Sequence, residues 1–167
     1  MKFKPVLLVL LLGITCTAWA QPAADDPDWK ESEAPPPPAF DIGKLLAFDV
    51  SPNASLVYGV DPSTIHISSS DSLVRYVVVA TSASGARNVM FEAIRCSTGE
   101  FKTYSRYSPD GHWNPIAHPE WRSLFGNMPS KHALRFAKAG ACDNAAPAMS
   151  VDVLVNRLKN PSFGTKN

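Results

Sequence analysis

The stretch that decides the fold is Leu73-Val74-Arg75-Tyr76-Val77-Val78-Val79-Ala80-Thr81. Its central residues, 76–79, are apolar in succession and do not alternate with polar residues, which is typical of a strand covered on both faces. The stretch therefore predicts the central strand of a sheet, with the rest of one domain arranged around it.

Shorter strand patterns flank this segment on both sides. Two precede it, at residues 56–60 and 64–67, and two follow it, at residues 89–96 and 101–107. Short turns such as Ser97-Thr98-Gly99 join the later strands, and short connections favour antiparallel pairing. We therefore expect an antiparallel meander sheet of about five strands.

Helical patterns appear only after the sheet. Residues 130–139 predict a helix, with Ser130 as its N-cap and Gly140 just beyond its end. Residues 151–158 favour a helix, although their valines also alternate as in a strand, and residues 119–125 fit a short helical turn. The sequence predicts one α+β domain over residues 40–160, with two or three short helices and a flexible tail at 161–167. Trp121 and Phe125 are expected in its core.

The N-terminus carries the pattern of a secretory signal peptide over residues 1–20. A basic start and a short apolar run are followed by Ala18-Trp19-Ala20, which predicts cleavage after Ala20. The run is too short for a comfortable membrane span, so no transmembrane segment is expected in the mature chain. Lipid attachment at Cys16 is the alternative, but the residues before Cys16 fit that signal poorly. We expect a periplasmic or outer-membrane-associated protein.

Residues 21–39 differ in composition from the rest of the chain. They are acidic and end in the run Pro35-Pro36-Pro37-Pro38, which favours an extended spacer. We expect a disordered tether here. Trp29 cannot bury itself within such a segment, so it either binds its own domain or docks on a partner.

The charge of the chain bears on its partners, and its cysteine content predicts a disulfide. The chain has 16 basic and 15 acidic side chains, and loss of Lys2 and Lys4 with the signal leaves a formal charge of −1. There is no basic excess to indicate nucleic acid as a partner. Only Cys96 and Cys142 remain after cleavage, and a pair in an oxidising compartment predicts a disulfide worth about 4 kcal/mol.

Sequence motifs for catalysis are missing. There is no Gly-x-Ser-x-Gly elbow, phosphate-binding loop, His-Glu-x-x-His motif or dinucleotide fingerprint, so no catalytic residue, metal or cofactor is assigned. His112, next to Asp110 and Trp113, is the best remaining candidate for ligand contact. Trp113 lies among other aromatic residues that either line a groove or form core.

Glu92 is the one carboxylate in a predicted strand of apolar residues. Arg95 and Arg106 lie on neighbouring segments, and Arg106 is placed to pair with Glu92 or Glu100. An ordinary cross-strand ion pair is the favoured interpretation, and a buried charge-paired site is the alternative.

Several blocks of sequence together resemble one family. They include Asp28-Trp29-Lys30-Glu31, Leu56-Val57-Tyr58-Gly59-Val60-Asp61-Pro62, Ile94-Arg95-Cys96-Ser97-Thr98-Gly99-Glu100, Asp110-Gly111-His112-Trp113 and His132-Ala133-Leu134-Arg135. In these blocks the chain is similar to the cryptic neisserial protein (CNP)-like family of exported proteobacterial proteins. The resemblance implies an envelope protein, but it brings no activity and no site residues. The strand and turn layout is also similar in outline to surface-adhesin E domains.

We therefore expect a non-catalytic binding module of the cell envelope, with an envelope protein or polymer as its unidentified partner. Its candidate contact surface comprises Trp29, Asp110, His112 and Trp113. A surface-exposed adhesin is one alternative. A small periplasmic enzyme using His112 with Asp110 or Glu120 is the other.

Overall fold

A computed structural model describes residues 26–161 of the chain. The predicted signal peptide, the start of the acidic segment and residues 162–167 lie outside this range. The regular structure of the described residues consists of two sheets, two α-helices and short turns of 3-10 and π type. No helix within residues 26–161 is long and apolar enough to cross a bilayer.

The larger sheet is antiparallel and has eight strands: β1 (Leu46–Phe48), β2 (Leu56–Val60), β3 (His66–Ile67), β4 (Leu73–Ser82), β5 (Arg87–Arg95), β6 (Glu100–Tyr107), β7 (Trp113–Pro115) and β8 (Arg122–Ser123). Their order in the sheet is β1-β2-β4-β5-β6-β7, with β3 paired to β4 and β8 paired to β6. All five predicted strands are present, and the later ones form the expected meander. The additional strands contain only two or three residues each, too few to show a period in the sequence.

Strand β4 occupies the centre of the sheet, as predicted. It pairs with β2 and β3 along one edge and with the whole of β5 along the other. Tyr76, Val77, Val78 and Val79 are completely buried. The continuous apolar run therefore reflects cover on both faces of the sheet.

The helices lie on one face of the sheet. Helix α1 (His132–Phe136) continues into a wider turn of π type (Ala137–Ala141), and helix α2 is Val151–Lys159. Helix α1 starts two residues later than expected, so Ser130 is not its N-cap. Residues 151–159 are helical, which resolves the ambiguity of their valines.

Gly140 ends the first helical segment at φ +130°, a conformation that other residues rarely adopt. A Cβ at this position would lie 2.6 Å from Cδ of Arg157 on helix α2. The glycine therefore provides both the change of direction and the close packing of the two helical segments.

The predicted disulfide is confirmed. Cys96 and Cys142 are bonded, with 5.7 Å between their Cα atoms. Cys96 directly follows β5, and Cys142 begins β9 (Cys142–Asp143), which pairs with β10 (Ala146–Pro147) in a second small sheet. The bond therefore ties the end of a central strand to the chain that follows the first helix.

We expected Phe125 and Trp121 in the core between the helices and the sheet, and this prediction is wrong. The Phe125 ring is 70% exposed. Trp121 is half-buried and lies against the N-terminal segment. The chain around them forms the short strand β8 instead of a helical turn, so neither ring is enclosed between the helices and the sheet.

Candidate functional site

Trp29 is the first of the predicted contact residues, and it packs against its own domain. Its Nε1 donates to the backbone oxygen of Asp71 at 2.9 Å. The Arg95 guanidinium carbon lies 3.7 Å from the ring centroid, and the edge of Trp121 contacts the ring at 5.9 Å between centroids. The indole is therefore held by a hydrogen bond, a cation and an aromatic edge.

Glu31 makes a second set of contacts two residues further on. It forms an ion pair with Lys102 and accepts hydrogen bonds from Tyr104 Oη at 2.7 Å and from Trp121 Nε1 at 3.2 Å. Burial, together with the hydrogen bond to Glu31, raises the pKa of the Tyr104 hydroxyl. One carboxylate of the N-terminal segment thus receives three donors from the sheet.

Asp71 and Arg75 form a buried ion pair beneath Ser32. Arg75 Nη2 donates to Asp71 Oδ2 at 2.7 Å, and the Ser32 backbone nitrogen donates to the same oxygen at 3.0 Å. The Ser32 hydroxyl also donates to this carboxylate. Burial alone would raise the pKa of Asp71, but these hydrogen bonds outweigh it and hold that pKa well below its usual value.

Residues 26–39 form what we call the N-terminal arm, and its contacts differ from the expected disordered tether. Its tryptophan and carboxylate find partners on the open face of the sheet, across more than forty residues of sequence. Composition describes only the segment itself, so it could not reveal these distant partners. Of the two roles considered for Trp29, the described contacts are those of binding its own domain.

Trp113 is half-buried in a small aromatic cluster on the same face of the sheet. Its ring centroid lies 5.9 Å from that of Phe40, 5.2 Å from that of Tyr107 and 6.5 Å from that of Phe91. These edge contacts pack the arm's end against the sheet. The cluster therefore does not leave an open aromatic groove at Trp113.

Asp110 and His112 lie in the exposed turn between β6 and β7. The Ser108 hydroxyl donates to Asp110, and Gly111 takes a φ of +89° that suits the turn. No side-chain hydrogen bond or ion pair of the His112 ring occurs within residues 26–161, and that part of the chain holds no group of three metal-ligating side chains. The predicted surface is therefore not one site, because Trp29 and Trp113 are half-buried against the sheet whereas Asp110 and His112 face solvent.

The structure brings together a polar cluster that sequence reasoning missed. Glu92 is completely buried on the helix side of the sheet and accepts from Tyr76 Oη at 3.1 Å and Thr103 Oγ1 at 2.9 Å. His132 Nε2 lies 2.9 Å from Glu92 Oε2. Burial, followed by the charge of Glu92, raises the pKa of Tyr76 well above its usual value.

The expected pairing of Arg106 with Glu92 or Glu100 is wrong, and Glu92 is instead part of a buried pair, which was the alternative interpretation. Arg106 instead donates to the Asn88 side chain at 3.2 Å. Glu92 finds its partner in His132, which a forty-residue separation hides from any pattern along one strand. The available signal was a lone carboxylate within a strand of apolar residues, because such a group needs a buried donor.

An open groove of about 990 Å³ lies beside the disulfide. Exposed Phe125 forms one wall, and Arg135 and Lys138 of the first helical segment lie on the other. Among its lining residues, all of them in the described part of the chain, there is no carboxylate. The groove therefore combines an exposed ring with two cationic side chains.

Comparison with known proteins gives a family and no activity. The family model described as CNP1-like family matches residues 24–159, which confirms the resemblance seen in the sequence. No curated protein and no solved structure matches the chain. Because the matched residues cover most of its length, the chain belongs to the CNP1-like family.

Proposed function

We propose that this member of the CNP1-like family is an exported binding module of the cell envelope, which captures a protein partner through the groove beside the disulfide. The observation that carries the proposal is the exposed ring of Phe125 next to two cationic side chains. Phe125 is 70% exposed and belongs to the lining of a groove, and apolar surface grouped in a groove, unlike a single scattered residue, marks interaction sites.

The chemistry of the groove defines the partner that it fits. Leu124, Leu134 and Phe125 supply apolar surface, whereas Arg135 and Lys138 supply positive charge. A segment that carries apolar side chains flanked by Asp or Glu would be complementary to both features. We therefore infer that the partner is an envelope protein with an acidic, partly apolar segment.

Export is the other half of the proposal. It is supported by the signal-like start of the sequence and by the disulfide, since disulfides persist in oxidising compartments. Fractionation of cells that express the full chain, with N-terminal sequencing of the mature protein, tests it. We expect to find the protein in the envelope fraction, with Gln21 as its first residue. Digestion of the protein by protease added to intact cells would favour the adhesin alternative.

Site-specific crosslinking tests the groove directly. A photo-crosslinking amino acid is placed at position 125 in the full chain, expressed in its own cells, and at position 149 as the control. Met149 is 89% exposed but does not line the groove, so it reports on random encounter. We expect a discrete adduct from position 125 and none from position 149.

A charge reversal makes the same experiment more specific. Lys138→Glu, in the chain carrying the crosslinker at position 125, should reduce the adduct at least several-fold, because it opposes an acidic partner. Lys159→Glu reverses an exposed charge outside the groove and should leave the yield unchanged. Equal yields from positions 125 and 149, or no adduct at all, would contradict the proposed binding surface.

A further inference from the structure

We propose that Ser130, His132 and Glu92 form an acyl-transfer site in which Ser130 is the nucleophile for a carboxylic ester. The proposal goes beyond the binding role above and uses a different groove. His132 is the general base, and Glu92 is a positioning residue that acts through His132. Ser130 and His132 are two residues apart, and Glu92 lies far from both in sequence. No catalytic sequence motif describes this order.

The distances follow the order nucleophile, base and orienting carboxylate. Ser130 Oγ lies 3.1 Å from His132 Nδ1. On the other side of the ring, His132 Nε2 lies 2.9 Å from Glu92 Oε2. Both distances are within hydrogen-bond reach, which is the geometric requirement for an activated serine.

The surroundings of Glu92 decide which imidazole nitrogen carries the hydrogen. An ionised carboxylate only accepts, and Glu92 already takes donors from Tyr76 and Thr103. The imidazole completes this set by donating from Nε2. In the neutral ring this leaves a lone pair on Nδ1, directed at the Ser130 hydroxyl.

Tyr58 supports the same arrangement from the side. Its ring stacks on the imidazole with 5.4 Å between centroids and 2° between planes. In the resting structure the Ser130 hydroxyl donates to Tyr58 Oη at 2.9 Å. Rotation about the Cβ–Oγ bond redirects this hydrogen to His132 Nδ1, and Tyr58 then supplies a donor next to the reacting oxygen.

The site is open to a ligand at one end and closed at the other. Ser130 is half-buried and lines a surface groove of about 580 Å³ with Leu56, Tyr58 and Met128. His132 and Glu92 lie beneath it, buried from solvent. The groove is lined by apolar side chains together with the polar residues Ser51, Asn53 and Ser55, which fits an ester with a short acyl group whose carbonyl carbon would lie at Ser130.

The reaction that fits is ester hydrolysis in two steps. Ser130 Oγ attacks the carbonyl carbon while its proton passes to His132 Nδ1. The bond between acyl carbon and alcohol oxygen then breaks, and the leaving alcohol takes that proton. Water next attacks the acyl-serine and gives one proton to His132, which returns it to Ser130 Oγ as the carboxylic acid departs.

A purely structural role is the competing explanation for Ser130. Its Oγ also accepts from the backbone nitrogen of His132 at 3.2 Å, as a serine does in a local turn before a helix. In that case Ser130 would have the reactivity of any surface serine. The two explanations therefore differ in nucleophilicity and not in the shape of the site.

The first experiment measures that reactivity on the folded mature protein. It is treated with a fluorophosphonate, the modified peptide is identified by mass spectrometry, and hydrolysis of p-nitrophenyl butyrate is followed. We expect an adduct on Ser130 and a rate that falls at least about a hundredfold in Ser130→Ala, the range typical of a lost catalytic group. Ser69→Ala, at an exposed serine outside this groove, is the matched control and should be unchanged. Absence of an adduct on Ser130 would overturn the proposal.

A second pair of variants keeps the test independent of the ester chosen. Ser130→Cys and, as a control thiol lining the same groove, Ser55→Cys are alkylated with iodoacetamide across pH 5–9. A thiol next to the His132 ring should react faster at low pH than the control thiol, because the imidazole takes its proton. Glu92→Gln combined with Ser130→Cys should remove the faster alkylation at low pH. Glu92→Gln alone, in the protein that retains Ser130, should lower the kcat of ester hydrolysis more than it changes KM. Identical pH profiles for the two thiols would also overturn the proposal.

Discussion

The two faces of the large sheet are covered by different parts of the chain and by different chemistry. On one face, helices α1 and α2 bury an extensive apolar cluster that includes Tyr76, Ile94 and Phe136. On the other face the apolar cluster is small, and the N-terminal arm is held mainly by Trp29, Glu31 and Ser32. One layer thus depends on burial of apolar surface, and the other on directed polar contacts.

The two layers should therefore lose different amounts of stability when single residues are substituted. The helix face combines apolar packing and the disulfide with a buried polar cluster around Glu92. The arm face distributes its contacts over buried cations and half-buried aromatic rings. A single change should therefore cost most at Glu92, less within the arm, and least at residues outside both layers.

Glu92→Ala is expected to have the largest effect of the point substitutions. It leaves His132, Tyr76 and Thr103 without their common acceptor, and breaking a buried pair of this kind costs about 3–5 kcal/mol. Urea unfolding of the disulfide-bonded protein measures the loss. A loss of less than about 1 kcal/mol in the free energy of unfolding lies within the range of an exposed ion pair. It would show that the hydrogen bonds of Glu92 contribute little to the stability of this face.

Trp29→Ala should cost about 2 kcal/mol, less than a fully buried tryptophan, because the ring is half-buried. The lost contacts are those with Arg95 and Trp121. A double-mutant cycle with Trp121→Ala gives the coupling between the two rings, expected near 1 kcal/mol. Additive losses would indicate that the arm does not dock through this pair.

Acid should weaken the arm face through Asp71. The pKa of Asp71 is lowered in the folded protein, so the stability contributed by its ionised form is fully present above the unfolded pKa of about 4 and is lost progressively as pH falls from there towards the lower folded pKa. Comparison of wild type with Asp71→Asn from pH 7 to pH 3 should show a stability difference that shrinks towards low pH. A constant difference over that range would remove the ion pair with Arg75 from the explanation.

His112→Ala provides the smallest expected effect and the reference for the other substitutions. The side chain is exposed in a turn, so the free energy of unfolding should change by less than about 0.5 kcal/mol. The same urea titration measures it. A loss comparable to that of Trp29→Ala would mean that the turn between β6 and β7 has partners beyond the two layers described.

The central part of the fold could be predicted from the sequence because its signals are local. The run at residues 76–79 marked the central strand, and Cys96 and Cys142 were the only pair left for a disulfide. Strands of two or three residues, such as β8, carry no period of their own. Their pairing exists only because neighbouring strands present free backbone groups.

The candidate sites were harder to predict because their partners are distant. Glu92 and His132 are forty residues apart, and Glu31 reaches Lys102 across seventy-one. Composition made the arm look like a solvated tether, since an acidic segment rich in proline has no core of its own. Phe125 was misplaced for the opposite reason: an aromatic residue near a sheet is usually buried, and this one is not.

The central claim is that the N-terminal arm forms the second layer of the domain, and removing the arm tests it most directly. Unfolding midpoints are measured for the mature protein and for a form that begins at Ala39, with and without a synthetic peptide of residues 26–38. We predict a clearly lower midpoint for the shortened form, partly restored by the peptide and not by the same peptide with Trp29→Ala. An unchanged midpoint after removal of the arm would contradict the account.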